Sequence, residues 1–174
     1  MNLVDVVDRT RAGVDGEAAA RLVARVLHAE GVDGAELSVA FVGERRIRAL
    51  NAAHRGRDEV TDVLSFPLEE AGEWDAGPEG AAPGTEPAGS GGAEVATAAG
   101  PPRLLGDVVI CARQALRQAR ADGLPPAFEL AVLLAHGTLH LLGYDHEADA
   151  GQMAVRQAEV LELVEWEGLV AASR

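Results

Sequence analysis

Three of the five histidines in this chain lie between residues 136 and 146. His136 and His140 are four residues apart, just over one helical turn, so they project from the same face of a helix. Gly143 can take the left-handed conformation that ends a helix, after which the chain can turn back and bring His146 to the pair. Three converging imidazoles that leave a fourth position to water are the ligand set of a catalytic zinc site. The spacing therefore predicts one Zn²⁺ per chain, or another divalent transition metal in its place.

A structural role is the main alternative for these histidines. The surrounding segment is apolar and rich in leucine (Leu130, Leu133, Leu134, Leu139, Leu141, Leu142). An isolated histidine pair on such a helix is more often a hydrogen-bonded part of the core. The third histidine favours a metal site, because three buried imidazoles that bind no metal would each need separate hydrogen-bond partners.

The composition predicts one soluble domain spanning residues 1–174. Apolar residues make up 48% of the chain but aromatics only 3%, so the core must consist of Leu, Val and Ala. The single cysteine, Cys111, excludes an internal disulfide, suits the reducing cytosol and is expected to be a small buried side chain. The chain begins without a signal-peptide core and has no apolar run of transmembrane length, so we expect a cytoplasmic protein without a membrane partner.

Charge is distributed unevenly along the chain. The net charge of −13 argues against indiscriminate binding to nucleic acid. Residues 69–100 hold seven acids and no base, and the Gly-, Ala-, Pro- and Glu-rich stretch from about 69 to 102 is expected to be a disordered insertion. Residues 45–57, in contrast, hold five arginines and no acid. Such a cluster is usually a solvated helix face, and it matters for function only if it lies beside the metal.

Hydrophobic periodicity predicts four strands and five helices. The strands are expected at 2–7, 36–42, 61–66 and 104–110, and the helices at 16–31, 44–53, 113–121, 126–142 and 149–166, all with approximate ends. The acidic insertion would then join two neighbouring strands. This order of elements indicates an α/β or α+β layer fold with a four-stranded sheet.

Hydrolysis is the natural chemistry of a three-histidine zinc site. Neutral ligands leave the zinc doubly charged, and its bound water ionises near a pKa of about 7. The spacing also matches the long zinc motif of metzincin peptidases, which place a general-base Glu directly after the first histidine. Here that residue is Gly137, so the peptidase mechanism is not supported. A phosphodiester instead requires a cation beside the metal, and Arg55 and Arg57 are the candidates by chain position.

Four stretches of the sequence resemble the signature of the YbeY family of bacterial endoribonucleases. They are Asn51 with His54-Arg55, Thr61–Pro67, Leu105–Ile110 and the histidine motif His136–His146. The stretches occur in the family's order, and the resemblance covers about the whole chain except the acidic insertion. The histidine motif is much more specific than a bare zinc-helix pattern.

This resemblance implies a single-strand-specific, zinc-dependent endoribonuclease that matures the 3′ end of 16S ribosomal RNA and takes part in 70S ribosome quality control. It implies an α+β fold, in which a small mixed four-stranded sheet packs with about five helices and the metal site lies on a helix and the turn after it. By position, the zinc ligands of the family correspond to His136, His140 and His146. The catalytic residues that the resemblance implies are His136 and Arg55. Arg55 would bind phosphate or stabilise the transition state.

The implied partners are single-stranded ribosomal RNA and the small ribosomal subunit with its proteins. The sequence predicts no oligomeric state. A zinc hydrolase of another class and a non-catalytic assembly factor with a structural metal are the alternative functions. The sequence does not determine the nucleophile, because either zinc hydroxide or the RNA 2′-hydroxyl could attack the phosphate.

Four side chains near the motifs have two interpretations each. Asp62 and Ser65 could contact substrate or orient a ligand, or they could make a capping or strand-end hydrogen bond. Asp145 could orient a histidine or form a turn. Tyr144 could line the cleft, although packing is the expected role.

Overall fold

Four β-strands form a mixed sheet at the centre of the described structure. The computed structural model describes residues 1–10, 12–68, 102–144 and 151–170. Within these residues the strands, in the sheet order β1-β2-β4-β3, are β1 (Leu3–Asp8), β2 (Ala35–Val42), β3 (Val63–Pro67) and β4 (Arg103–Cys111). Strands β1, β2 and β4 run parallel, and β3 pairs antiparallel with β4. The predicted mixed sheet of an α+β fold is thereby confirmed.

Five α-helices pack around this sheet in the described part of the chain. They are α1 (Gly16–Ala29), α2 (Glu44–Arg55), α3 (Ala112–Asp122), α4 (Pro126–Leu141) and α5 (Gln152–Leu163), followed by a short 3-10 helix (Glu167–Leu169). Local chemistry explains two of the helix starts: the Asp15 side chain accepts a hydrogen bond from the Ala18 amide, and Pro126 occupies the first turn of α4. None of the described helices has the length and apolar character needed to cross a bilayer.

Predicted and observed element ends differ by up to three residues, and the ends at β3 and α5 have local explanations. Strand β3 begins at Val63 rather than at 61, because the Asp62 side chain accepts the Val63 backbone N–H at 2.8 Å. Helix α5 ends at Leu163 rather than at 166, where Val164 takes an extended conformation. The chain that follows buries Leu169 completely in the core, which a longer helix would prevent.

The sheet carries a different layer on each face. Helices α1 and α4 cover one face, and the main core between them includes Val23, Val39, Val108 and Leu134, each at most 1% exposed. Helix α2 covers part of the other face over a smaller cluster that includes Ile47 and Leu64. Cys111 is buried in that smaller cluster, as predicted. Each fully buried aliphatic side chain stabilises the fold by about 1.5–3 kcal/mol relative to exposure.

Helix α4 lies close against the sheet at Gly137. A Cβ atom at this position would lie 2.5 Å from Val108 Cγ1 and 3.3 Å from Ser65 Oγ. The Ser65 hydroxyl donates a hydrogen bond to the Gly137 carbonyl at 3.1 Å. Any side chain here would push the helix away from β3 and β4, so glycine sets the depth at which α4 sits.

The strands that flank the acidic stretch are direct neighbours. Pro67 of β3 lies opposite Gly106 of β4, and the Leu68 amide donates to the Leu105 carbonyl at 3.0 Å. This confirms the prediction that the stretch joins two adjacent strands. Residues 69–101, on which the predicted disordered insertion falls, lie outside the described residues, as do 145–150 and 171–174.

Candidate metal centre

His136 and His140 lie side by side on helix α4. Their ring centroids are 4.5 Å apart at an interplanar angle of 85°, and their Nε2 atoms are separated by 3.1 Å. Both side chains are half-buried. The prediction that they share one helix face is confirmed. His146 lies outside the described residues, so its place as the third ligand stays a prediction.

Hydrogen bonds at Nδ1 determine the tautomer of each ring. His140 Nδ1 lies 2.8 Å from the Tyr144 carbonyl oxygen, which can only accept, so this nitrogen carries the proton. His136 Nδ1 lies 2.9 Å from Gln157 Oε1, which is also an acceptor. A neutral ring that donates from Nδ1 carries its lone pair on Nε2, the atom that faces the other histidine.

This arrangement fits the donor set of a transition metal. Two lone pairs at 3.1 Å repel each other, and a cation bound between them would remove that repulsion. In a tetrahedral zinc site with Zn–N bonds of about 2.0–2.1 Å, two ligand nitrogens are roughly 3.3 Å apart. The pair can thus supply two of the ligands. The described residues by themselves do not assemble a group of three metal-binding side chains, in keeping with the location of His146 outside them.

The turn after α4 is anchored to the end of α1, where the same carboxylate also binds α5. Gly143 takes a positive φ of 91° and ends the helix, as its place in the motif predicted. The Tyr144 hydroxyl donates to Glu30 at 2.8 Å, and Arg156 donates to the same carboxylate at 2.6 Å and to the Ala29 carbonyl at 2.8 Å. Burial, followed by the neighbouring Glu30 carboxylate, raises the pKa of the Tyr144 hydroxyl. Tyr144 therefore has a packing role, and its carbonyl is held where His140 requires it.

Arg55 is the last residue of α2 and is exposed to solvent. Helix α2 lies on the opposite face of the sheet from α4, and the edge-to-face contact of His54 with Phe66, at 4.9 Å between centroids, places its end beside the edge strand β3. Arg55 makes no hydrogen bond or ion pair with either histidine in the described part of the protein. Its role in catalysis stays a prediction.

The predicted arginine cluster is only partly available for a substrate. Arg48 donates twice to Asp58, at 2.7 and 2.8 Å, and so is neutralised on the surface. Arg55 and Arg57 make no ion pair with the residues that the structure describes. Both therefore remain candidates for phosphate binding at the end of α2.

Asp62 and Ser65 make local hydrogen bonds. Asp62 Oδ1 accepts from Val63 and, at 3.1 Å, from the Thr61 hydroxyl, so it organises the start of β3. Ser65 ties β3 to the carbonyl of Gly137 on α4. Both residues thus support the histidine helix through the strand beneath it, which favours the structural interpretation of each.

Two residues at or near α4 were not identified by sequence reasoning. Gln157 contacts His136 from a helix that is distant in sequence, and nothing in a lone glutamine indicates this. Glu129, seven residues before His136, is only 7% exposed, and burial raises its pKa, with further contributions from Asp62 and Asp122. Its position in the first turn of an apolar helix was visible, but its burial depends on the packing of α4.

The fold and the histidine pair define an α+β protein whose sheet-backed helix presents imidazoles in the geometry of metal ligands. A family model described as Endoribonuclease YbeY matches residues 7–165. This chain therefore belongs to the YbeY family, as its motifs predicted.

Curated relatives carry the same description. A protein named Endoribonuclease YbeY from Anaeromyxobacter dehalogenans is 44% identical, with the match covering 97% of this chain and 75% of the relative. One from Bacillus mycoides is 39% identical over 92% of this chain and 94% of the relative. The solution structure of TM1509 from Thermotoga maritima is similar with a TM-score of 0.56 and 23% identity, covering 92% of this chain and 87% of that one, and it supports the fold alone.

Proposed function

We propose that this chain is a zinc-dependent endoribonuclease that cleaves single-stranded ribosomal RNA in the cytoplasm. Its tasks would be maturation of the 3′ end of 16S ribosomal RNA and quality control of the 70S ribosome, with the small ribosomal subunit and its proteins as partners. Membership of a family described as endoribonucleases supports the reaction class. The single observation that carries the metal is the pair of Nε2 atoms facing each other at 3.1 Å while both Nδ1 atoms are engaged elsewhere.

His136, His140 and His146 would hold the zinc ion. When bound, it supplies a Lewis acid for the phosphate and a water that ionises near neutral pH. The two hydrogen-bonded rings need no tautomer change to bind it, because the proton of each is already on Nδ1. Rigid placement of ligands avoids reorganisation during the reaction.

The structure gives a physical reason for the missing peptidase base. A glutamate at position 137 would need a Cβ atom 2.5 Å from Val108, inside the packing between α4 and the sheet. A carboxylate could therefore not project from this position towards the histidines without moving the helix. This supports phosphodiester rather than peptide hydrolysis as the function of the site.

Arg55 is proposed to bind the phosphate that is cleaved. Its guanidinium is exposed, carries a permanent charge and offers a forked donor to phosphate oxygens. The strand β3 between α2 and α4 is at the sheet edge, so a flexible RNA strand could contact both sides of it. Local positive charge at this edge would offset the repulsion of a chain with net charge −13.

The test is cleavage of single-stranded RNA by the zinc-loaded protein and two variants. His136→Ala and Arg55→Glu should each lower kcat/KM at least about 100-fold, the range for loss of a metal ligand or of a charge-stabilising donor. His28→Ala and Arg120→Glu are the matched controls, since both residues are exposed on other helices. Mass analysis of the product ends separates the nucleophiles, because a 2′,3′-cyclic phosphate requires attack by the 2′-hydroxyl.

Equal cleavage by all five proteins would mean a contaminating nuclease and would refute the proposal. Chelator-sensitive hydrolysis of casein without RNA cleavage would identify a peptidase instead. Binding to small-subunit particles without any cleavage, unaffected by His136→Ala, would identify an assembly factor whose metal is structural.

A further inference from the structure

Gln157 links helix α5 to the histidine pair. Its side-chain oxygen lies 2.9 Å from His136 Nδ1, across 21 residues of sequence. Both side chains are half-buried, so water competes less for this hydrogen bond than it would at the surface. A ring that can bind a metal through Nε2 must keep its proton on Nδ1, and that requires an acceptor at this position.

We infer that Gln157 is a positioning residue of the metal centre, which holds His136 in the tautomer and orientation that direct its Nε2 lone pair towards His140. The inference rests on the proposed function insofar as that function requires a metal. For His140, the backbone carbonyl of Tyr144 accepts the corresponding hydrogen bond from Nδ1. His136 has its acceptor on a separate helix, so its orientation depends on where that helix lies.

Helix α5 is held firmly enough to perform this task. Met153 and Val160 are buried, at 1% and 0% exposure, and face the core on one side. Arg156, the residue next to Gln157, donates to Glu30 and to the Ala29 carbonyl at the end of α1. Gln157 therefore projects from a helix that is packed along one side and clamped to α1 one residue away.

The chemistry of the amide matters as well. An amide oxygen accepts from Nδ1–H without adding charge, whereas a carboxylate would accept the same bond and add a negative charge beside the ring. The acceptor, and not the charge, is what the tautomer requires. Gln157→Glu should therefore preserve the function, and Gln157→Leu, which has no acceptor, should lose it.

Zinc affinity of the full chain is the first measurement, by competition with a chromophoric chelator. Gln157→Leu should weaken zinc binding about 10- to 100-fold, the usual effect of removing a partner of a metal-bound histidine. Gln157→Glu should bind zinc at least as well as the parent protein. Gln118→Leu makes the same change on the exposed face of α3 and should leave the affinity unaltered.

The tautomer itself is the second measurement, made on metal-free protein by nitrogen NMR of the histidine rings. The parent and Gln157→Glu should show His136 protonated at Nδ1, and Gln157→Leu a mixture of the two neutral tautomers. Thermal unfolding of each variant identifies any that fails to fold, and Gln157→Met, of similar length and also without an acceptor, replaces Gln157→Leu in that case.

A folded acceptor-free variant that keeps both the parent's zinc affinity and its tautomer would overturn the inference and leave the proposed metal site standing. If the parent protein itself binds no zinc, the proposed metal fails, and the tautomer measurement still decides whether Gln157 orients the ring. The two failures are thus distinguishable.

Discussion

Single acceptor atoms decide the chemistry of the two histidines. The ring nitrogens of an isolated imidazole are close to equivalent, and the sequence motif cannot specify which one is protonated. The Tyr144 carbonyl and the Gln157 amide remove that ambiguity by accepting from Nδ1. The two rings are thereby oriented with their Nε2 atoms towards each other.

Glu129 is the residue for which burial has a pH-dependent cost. Burial raises its pKa, and Asp62 and Asp122 raise it further, so the folded state favours the protonated acid. An acid with a raised folded pKa lowers the free energy of unfolding as pH rises from the ordinary carboxyl value of about 4.3 through the raised value. The contribution of protonated Glu129 to the free energy of unfolding should therefore be lost as pH rises towards neutral.

Glu129→Gln should remove that loss. The variant should be more stable than the parent at about pH 8, and the difference should shrink as pH falls through the raised pKa of Glu129 towards the ordinary carboxyl value, by urea unfolding at a series of pH values. Glu162→Gln, on the exposed side of α5, should change stability little across this pH range. A difference between Glu129→Gln and the parent that does not vary with pH would contradict this account.

At the scale of elements, the depth of α4 against the sheet is set by one missing side chain. Gly137→Ala should destabilise the protein by about 1–3 kcal/mol, because the new Cβ would overlap Val108 Cγ1. Urea unfolding provides the measurement. Gly168→Ala, at a site with open space around it, is the matched control.

A double-variant cycle tests the cause. Combined with Val108→Ala, which removes the clashing methyl groups, the Gly137→Ala change should cost less than it does alone. Additive effects of the two changes would mean that the loss of stability arises elsewhere in α4.

Glu30 joins three elements, since it accepts from Tyr144 on the turn after α4 and from Arg156 on α5. Glu30→Ala would leave both donors without this partner in a partly buried place, at a cost of about 1.5–3 kcal/mol. Loosening the turn should also weaken zinc binding through the Tyr144 carbonyl. Both effects are measurable, by urea unfolding and by chelator competition.

Glu159→Ala is the control for Glu30. Glu159 also accepts from Arg156, at 2.8 Å, but its side chain is 56% exposed against 7% for Glu30. Exposed ion pairs contribute about 0–1 kcal/mol, so its removal should cost less and leave zinc affinity intact. Equal losses from the two changes would show that Arg156, and not the turn, is what Glu30 stabilises.

At the scale of the whole molecule, the distribution of charge affects the rate at which RNA associates with the protein. The stretch 69–101 contains seven acids and joins two strands that are already paired. Replacing it with a short Gly-Ser linker between Leu68 and Pro102 should preserve the fold. RNA cleavage should then show a lower KM, with a rate of association raised about tenfold or more at low ionic strength and by less at high salt.

A second variant separates charge from length. Changing all seven acids of the stretch to their amides removes the charge but keeps the length of the stretch, and it should reproduce the lower KM. The readout is KM for single-stranded RNA over a range of salt concentrations. If only the shortened protein improves, the stretch obstructs the substrate by its bulk and its charge is irrelevant.

Much of the fold and part of the site were determined by the sequence alone. The period of apolar residues located the four strands and five α-helices of the described structure within a few residues, because alternation and helical spacing indicate which face is buried. The short 3-10 helix Glu167–Leu169 was not predicted. The histidine spacing likewise determined that His136 and His140 share a face, since they lie within one helical turn.

Tertiary structure alone decided how those histidines are oriented and what surrounds them. The hydrogen bonds from His136 to Gln157 and from Tyr144 to Glu30 join residues 21 and 114 positions apart, and no local sequence pattern encodes such pairings. The raised pKa of Glu129 and the need for glycine at 137 also arise only when α4 is laid on the sheet. Periodicity is a property of neighbours in sequence, whereas tautomers, desolvation and close packing are properties of neighbours in space.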